Sequence, residues 1–455
     1  MRYAAGGTLR PCSRNRAVAR GETDMSRAEQ GKNPDANMIV LEEAQAIILD
    51  HVVPTPVVEV PAWQASGLPL AEDALTDIDL SPFANSAMDG YAVRAADLAT
   101  AATDTPVALS VVGHEAAGHV FAGAVESGQA VRIMTGAPVP EGADAVVKYE
   151  VVEVTGGDGS GNEGCTAVFR TLAKPGENIR KAGLEAKRGE PVMVAGEVVT
   201  PAGAGLLASA GHASVRVHRA PRVGIISLGT ELVAPATVPD RGQIRDSNSA
   251  ALMASAVAAG AEPVFYGIAA DDEASITELI CRAAGECDFV VTSGGASAGD
   301  YDYVTALIER EGEVLFDRIS MRPGKAITFG MLRGVPFLGL SGNPAAAYVG
   351  FEMLARPAIR KMLGFAPALR PVQTARVTHD VKKRQARRFY DRATVSRDPK
   401  TGELTVTGAP TQNSALLGDL HRGNALLMVP DGLNGYTAGD EVPCVRYDIE
   451  EGTVL

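Results

Sequence analysis

The order of apolar runs predicts a multidomain chain of α/β plus β class. β-rich segments come first, a mainly parallel α/β sheet sits in the middle, and a small all-β domain closes the chain. Three observations lead there. The chain has 455 residues, more than one ordinary core accommodates. Between 219 and 365, short apolar runs alternate with helical patterns, as βαβ units do. On either side the apolar runs are short and broken by turn residues, in a chain with 49 glycines and 27 prolines.

Each element follows from its local pattern. From Met38, MIVLEEAQAIILDHV places Ile39, Ala44, Ala46, Ile47 and Ile48 close to one helical stripe. Pro54, Pro56 and Pro61 then enforce extended backbone. From 89 to 187 the runs GYAV, PVALSVV, QAVRIM, DAVVKYEVVEV and TAVFRTL read as strands, with TGGDGSGNEG at 155–164 a hairpin tip. The stretch 188–211 ends in a helical Ala/Leu/Gly segment. At Pro221 the pattern changes. RVGIISLG is a buried strand, and SNSAALMASAVAAG is a helix capped by Ser247 or Asn248 and stopped at Gly260. EPVFYGIA, CDFVVTSGG, EVLFDRIS, AITFG and VPFLGLSG are further strands, with helices DEASITELICRAAG and YVTALIEREG between them. The helix NPAAAYVGFEMLARPAIRKMLG has Asn343 as its cap and Pro344 at its first position. Beyond Pro367 and Pro371, short strands and turns fit a small β-barrel or sandwich. The divisions expected are a disordered extension at 1–37, an elongated domain from 38–88 plus 188–218, a β-rich insertion at 89–187, the α/β domain at 219–365 and the last domain at 366–455.

Composition narrows the function classes. A net charge of -13 disfavours general nucleic-acid binding, which requires phosphate neutralisation. The five cysteines are scattered, with no CxxC pair, which argues against a zinc site or a disulfide framework and for a reducing, cytoplasmic setting. No apolar run is long enough to cross a bilayer. The arginine-bearing N-terminus lacks the apolar stretch of a secretory signal.

Ligands of an open parallel sheet collect outside the carboxyl ends of its strands. Four such ends carry polar residues: Gly229, Thr230 and Glu231; Asp271 and Asp272; the TSGGASAGDYD turn; and the LSGNP turn. The glycines of TSGGASAG permit backbone N–H groups to face a phosphate, although one such turn alone reads more readily as a tight loop with Asp302 capping the next helix. SMRPGKAITFG adds Arg322 and Lys325, a cationic loop in an acidic chain. Arg387, Arg388 and Arg392 in RQARRFYDRA read as a solvated face. HEAAGH is one residue too long for a zinc-protease motif and reads as a loop. In FANSAMDGYAVR, Asp89-Gly90 reads locally as a turn, and whether its carboxylate is placed for chemistry is left open by the residues alone.

These pieces in this order resemble the molybdopterin molybdenumtransferase family, which includes MoeA and the E domain of gephyrin. NSAMDGYAV is the most specific element, joined by IMTGAPVPEGADAVV, GENIRKAGLE, SLGTEL, IRDSNS, TSGGASAGDYD, MRPGK and SGNP, between Met38 and Leu455. The resemblance implies a MogA-like molybdopterin-binding α/β domain and a C-terminal β-barrel. It implies insertion of molybdate into adenylylated molybdopterin with Mg²⁺-dependent release of AMP. By motif, Asp89, Thr135, Glu185, Glu231, Asp271 and Asp302 carry catalysis, with Glu231, Asp271 and Asp302 at the metal. Substrate contacts are implied at Gly229, Thr230, Ser293, Gly294, Gly295, Ser297, Arg322, Lys325, Ser341, Asn343, Arg387 and Ser414. Family members are homodimers, so Asp89 and Thr135 are expected to act on the partner's site. Contacts with molybdopterin adenylyltransferase and with apo-molybdoenzymes are implied as well.

Departures cluster on the oxyanion side. Glu185 stands where the family often has Asp, Ala326 where it has Pro, and Arg318 and Arg322 where many members have Lys. Ser341-Gly-Asn-Pro-Ala-Ala346 replaces Pro-Gly-Asn-Pro-Val-Ser. These changes leave the choice between molybdate and tungstate open. The competing readings are a molybdopterin adenylyltransferase, which the flanking domains disfavour, and a catalytically silent dimeric scaffold. A scaffold has no need of the acids at 231, 271 and 302.

Overall fold

The computed structural model describes residues 38–116, 118–295, 303–366, 368–451 and 453. The expected N-terminal disorder, Ser297 and Asp302 lie outside them.

The middle of the chain folds around a six-stranded sheet. Strand order is Glu262–Ala269, Arg222–Leu228, Phe289–Ser293, Val335–Leu340, Ala326–Leu332, Gly312–Arg318. The first four run parallel and the last two are antiparallel. Phe289–Ser293 is buried throughout and Arg222–Leu228 nearly so, as expected of strands covered on both faces. Helix Asn248–Ala258 and the helical run 344–362 pack against one face, and helices Glu273–Glu286 and Tyr303–Glu311 against the other. Helix Leu41–His51 joins the first of these cores through Leu41, Ala44 and Ile48, while Ala46 points to solvent.

Several local readings are corrected by the structure. The run from Asn343 is not one continuous helix: α-helix Pro344–Gly350 opens into a π segment, Phe351–Ala355, before α-helix Arg356–Met362. Pro357 explains the change, because its ring cannot sit under the carbonyl of the preceding turn and it has no N–H to donate. Ser247 occupies the cap of helix Asn248–Ala258, yet the capping oxygen comes from Asp246, which accepts from the Ser249 N–H at 3.0 Å. His114 and Glu115 are not loop residues; they end strand Val107–Glu115.

The β-rich insertion is a six-stranded sheet in the order Ala145–Lys148, Gly90–Val93, Gln129–Ile133, Val107–Glu115, Thr166–Phe169, Val152–Thr155. Strands Val57–Pro61 and Ser214–His218, distant in sequence, pair antiparallel. Helix Pro201–Ser209 is capped by Thr200, whose hydroxyl accepts from Gly203 N–H at 3.0 Å.

The last domain is a closed barrel of five strands. Arg388–Arg397 pairs with Leu404–Gly408, which leads through Val372–Val377 and Glu441–Arg446 to Ala425–Val429 and back to Arg388–Arg397. Met321–Arg322, from the central domain, adds to the barrel alongside Arg388–Phe389. The tail after the barrel returns to the helix at 356–362. Arg356, 1% exposed, meets Glu451, 2% exposed, at 2.6 Å and Glu450 at 2.7 Å, and Arg360 also binds Glu451.

Glu451 is the buried partner that Arg356 and Arg360 share, and its removal leaves both arginines only the exposed Glu450 as an ion-pair partner among the described residues. Glu451→Ala should therefore destabilise the protein by roughly 3 kcal/mol. Glu450→Ala, at a side chain 64% exposed, should cost less than about 1 kcal/mol. Urea midpoints of the two variants provide the comparison, and equal losses would refute the assignment.

Candidate functional site

Each parallel strand of the central sheet releases its chain on the same edge. The structure brings four of these ends and two basic loops around one cleft of about 950 Å³. Of the residues expected at the site, Gly229, Glu231, Asp271, Gly294, Gly295, Arg322, Lys325, Ser341, Asn343, Arg387 and Ser414 line it. Ala326 and Ala346, two of the departures from the family pattern, line it with Ser341.

The acidic side is built by short loops. Thr230 donates to Asp271 Oδ2 through its N–H at 3.1 Å and its hydroxyl at 2.9 Å, tying two neighbouring strand ends together. Asp271 is thereby oriented toward the cleft. Asp272 serves a different purpose, capping helix Glu273–Glu286 by accepting from Ser275 N–H at 2.9 Å. That hydrogen bond and the one from the Ser275 hydroxyl hold its carboxyl below the usual range. Gly294 has φ +95°, and a side chain there would run into the Leu228 carbonyl. Its N–H bonds the Leu340 carbonyl at 3.0 Å, so the turn is pinned to the next strand.

The basic side joins two domains. The Arg322 guanidinium lies 4.6 Å from the Phe389 ring centre, a cation–π contact that holds its stem against the barrel. Arg387 is braced by Gln385 at 2.9 Å. The Ser414 carbonyl accepts from Ala345 N–H at 2.8 Å, fastening the barrel loop to the SGNP turn. Ser341 Oγ accepts from Asn343 N–H at 3.3 Å within that turn.

Not every expected residue reaches the cleft. Asp89 and Thr135 form a pair of their own in the β-rich sheet, and neither they nor Glu185 line the cleft. Asp89 Oδ1 accepts from both the N–H and the hydroxyl of Thr135, each at 2.7 Å. Those two bonds, the backbone one first, hold the exposed Asp89 carboxyl below its ordinary range. Ser293 is buried under the cleft floor, where its hydroxyl accepts from Asn248 Nδ2 at 2.6 Å.

Sequence reading missed Asn248 as a site residue. Besides Ser293, its amide donates to the Gly342 carbonyl at 2.9 Å, joining two strand ends from below. IRDSNS carried the signal, but reading Asn248 as a helix cap absorbed it. Gln385, Gln412 and Asn413 also line the cleft. Arg392, expected on a solvated face, is fully buried.

The chain matches three family models: "MoeA N-terminal region (domain I and II)" over residues 39–211, "Probable molybdopterin binding domain" over 224–361, and "MoeA C-terminal region (domain IV)" over 374–446. A molybdopterin molybdenumtransferase from Bacillus subtilis is 37% identical over 385 residues, covering 84% of this chain and 88% of that protein. One from Haemophilus influenzae is 35% identical over 407 residues, covering 89% and 98%. The crystal structure of a molybdopterin biosynthesis MoeA protein from Pyrococcus horikoshii superposes with a TM-score of 0.77 at 30% identity, over 90% of this chain and 100% of that one.

The Asp89–Thr135 pair makes a prediction independent of activity. Thr135→Val removes the hydroxyl donor and keeps the N–H, so the Asp89 carboxyl should titrate higher, back toward an ordinary aspartate. Carboxyl carbon NMR across acid pH reads this directly. An unmoved titration would show that the hydroxyl contact does not act on Asp89 in solution.

Proposed function

The chain belongs to the MoeA family of molybdopterin molybdenumtransferases, and from that premise we propose that it inserts molybdate into adenylylated molybdopterin and releases AMP, the last step of molybdenum-cofactor synthesis. The observation that carries this reading is the division of charge within one cleft. Glu231 and Asp271 line one part of it, and Arg322, Lys325 and Arg387 another.

Such a division suits a substrate with two different polar ends. Molybdate is a dianion and needs fixed cations and hydroxyl donors, which Arg322, Lys325, Arg387, Ser341 and Ser414 offer. Gly229, Gly294 and Gly295 leave backbone rather than side chain to face the pterin nucleotide. The donor set on the acidic side also fits magnesium. Among the described residues no cluster of three or more His, Cys, Asp or Glu forms a ready cage. Magnesium does not require one, since it keeps water and substrate oxygens beside one or two carboxylates. Glu231 and Asp271 would hold it, with Asp302 as the further candidate. When bound, the ion would polarise the phosphoryl group and offset its charge. Thr230 keeps Asp271 aimed at that position.

The reading includes a cytoplasmic homodimer. Asp89, Thr135 and Glu185 stand outside the cleft of their own chain, so a role in the reaction requires them to face a second copy's cleft. Asp89, aligned by Thr135 with its carboxyl held below the ordinary range, is suited to orient water rather than to accept a proton.

The test is AMP release from adenylylated molybdopterin by the purified protein with Mg²⁺, in the presence and absence of molybdate, with tungstate in parallel. Molybdate-dependent release yielding a cofactor that activates an apo-molybdoenzyme is the expected result. Asp89→Asn should slow it by about 100-fold or more. Absence of release by folded protein would overturn the assignment. Full activity in Asp89→Asn would remove that residue from the mechanism.

A further inference from the structure

Arg392 is fully buried in the wall behind the cleft, and two of its guanidinium nitrogens, Nε and Nη1, have no hydrogen-bond partner among the described residues. The third, Nη2, donates to the carbonyls of Thr411 at 3.0 Å and Asn413 at 3.2 Å. Gln412, between them, clamps the same residue by its backbone: Arg392 N–H donates to Gln412 Oε1 at 2.9 Å, and Gln412 Nε2 donates to the Arg392 carbonyl at 3.0 Å. The loop so held presents Gln412, Asn413 and Ser414 to the cleft.

Charge points the same way. No carboxylate lies within 4.0 Å of this guanidinium among the described residues. Asp391 and Asp419 act on it only from longer range, and Arg322 repels it. Burial raises the Asp391 carboxyl, against the pull of Arg322 and Arg392. A buried arginine without an ion-pair partner is costly, and an anion in the adjacent cleft would relieve that cost.

We propose that Arg392 is a positioning residue for the oxyanion end of the cleft. It fixes the 411–414 loop by two of its carbonyls and adds a buried positive charge to the field of Arg322. This rests on the oxyanion-transfer reading above and assigns the loop's geometry to a residue that does not line the cleft.

The test uses the full chain and molybdate alone, by calorimetry, with sulfate as comparator and an unfolding midpoint for each variant. Arg392→Met should weaken molybdate binding about tenfold or more. Arg392→Lys should recover only part of it, because an ammonium keeps the charge but not the rigid planar group that aims Nη2 at both carbonyls. In AMP release, the KM for molybdate should rise while the rate at saturating molybdate changes little. A molybdate Kd within twofold of wild type in folded Arg392→Met would overturn the proposal, even with a lowered unfolding midpoint. If that variant does not fold, an unchanged Kd in Arg392→Lys would overturn it. The calorimetry contains no pterin, so wild type that binds molybdate yet releases no AMP refutes the transferase reading alone. Wild type that binds no molybdate refutes the role of Arg392.

Discussion

The parallel pairing of Met321–Arg322 with Arg388–Phe389 is the contact on which the site depends. It makes a piece of the central domain part of the barrel's hydrogen-bonded surface. Backbone pairing fixes register as well as distance, so Arg322 arrives over Phe389 and not elsewhere on the barrel. The Ala345–Ser414 bond supplies a second tie on the same basic side. Loops of two domains thus become walls of one cleft. The apolar contact beneath them is broad: Tyr390, Leu426 and Val445 of the barrel belong to the same core as the central sheet.

That docking also accounts for the unusual placement of charge. Residues on the outward face of Arg388–Arg397 would be solvated on an isolated barrel. Docked, Tyr390 is buried in the shared core and Arg388 binds Glu42 of the first helix, while Arg392 is enclosed with the 411–413 loop of its own barrel. In a chain with a net charge of -13, positive potential at the cleft must be local. Enclosing an arginine achieves this, because a charge screened by protein rather than water acts more strongly on its surroundings.

The same geometry sets what the sequence could reveal. Strands such as Phe289–Ser293 were legible because a strand covered on both faces is a continuous apolar run, whatever covers it. The strand-end residues were legible because sheet topology sends them to one edge. Arg392 was not: within RQARRFYDRA it is one cation among several, and its partners Thr411 and Asn413 lie 19 and 21 residues further on. Asn248 was obscured for a related reason. Its partners, Ser293 and Gly342, lie 45 and 94 residues further on. The π segment at Phe351–Ala355 is the exception, since Pro357 announces it locally and the apolar pattern on either side conceals it.

Asp89 illustrates how a motif and a site can part company within one chain. Its carboxylate has what an oriented ionic group needs: two donors on one oxygen, from the N–H and hydroxyl of a single threonine. Such a constellation fixes direction without burial, and so keeps Asp89 exposed and charged. Yet the cleft of the same chain is complete along its lining without it. The two bonds favour the ionised form, so they support the fold at neutral pH as well as directing the carboxylate. Its exposure also leaves it able to meet a surface beyond the chain. Under the transferase reading that surface is a second cleft, which makes dimerisation a chemical requirement rather than a matter of stability.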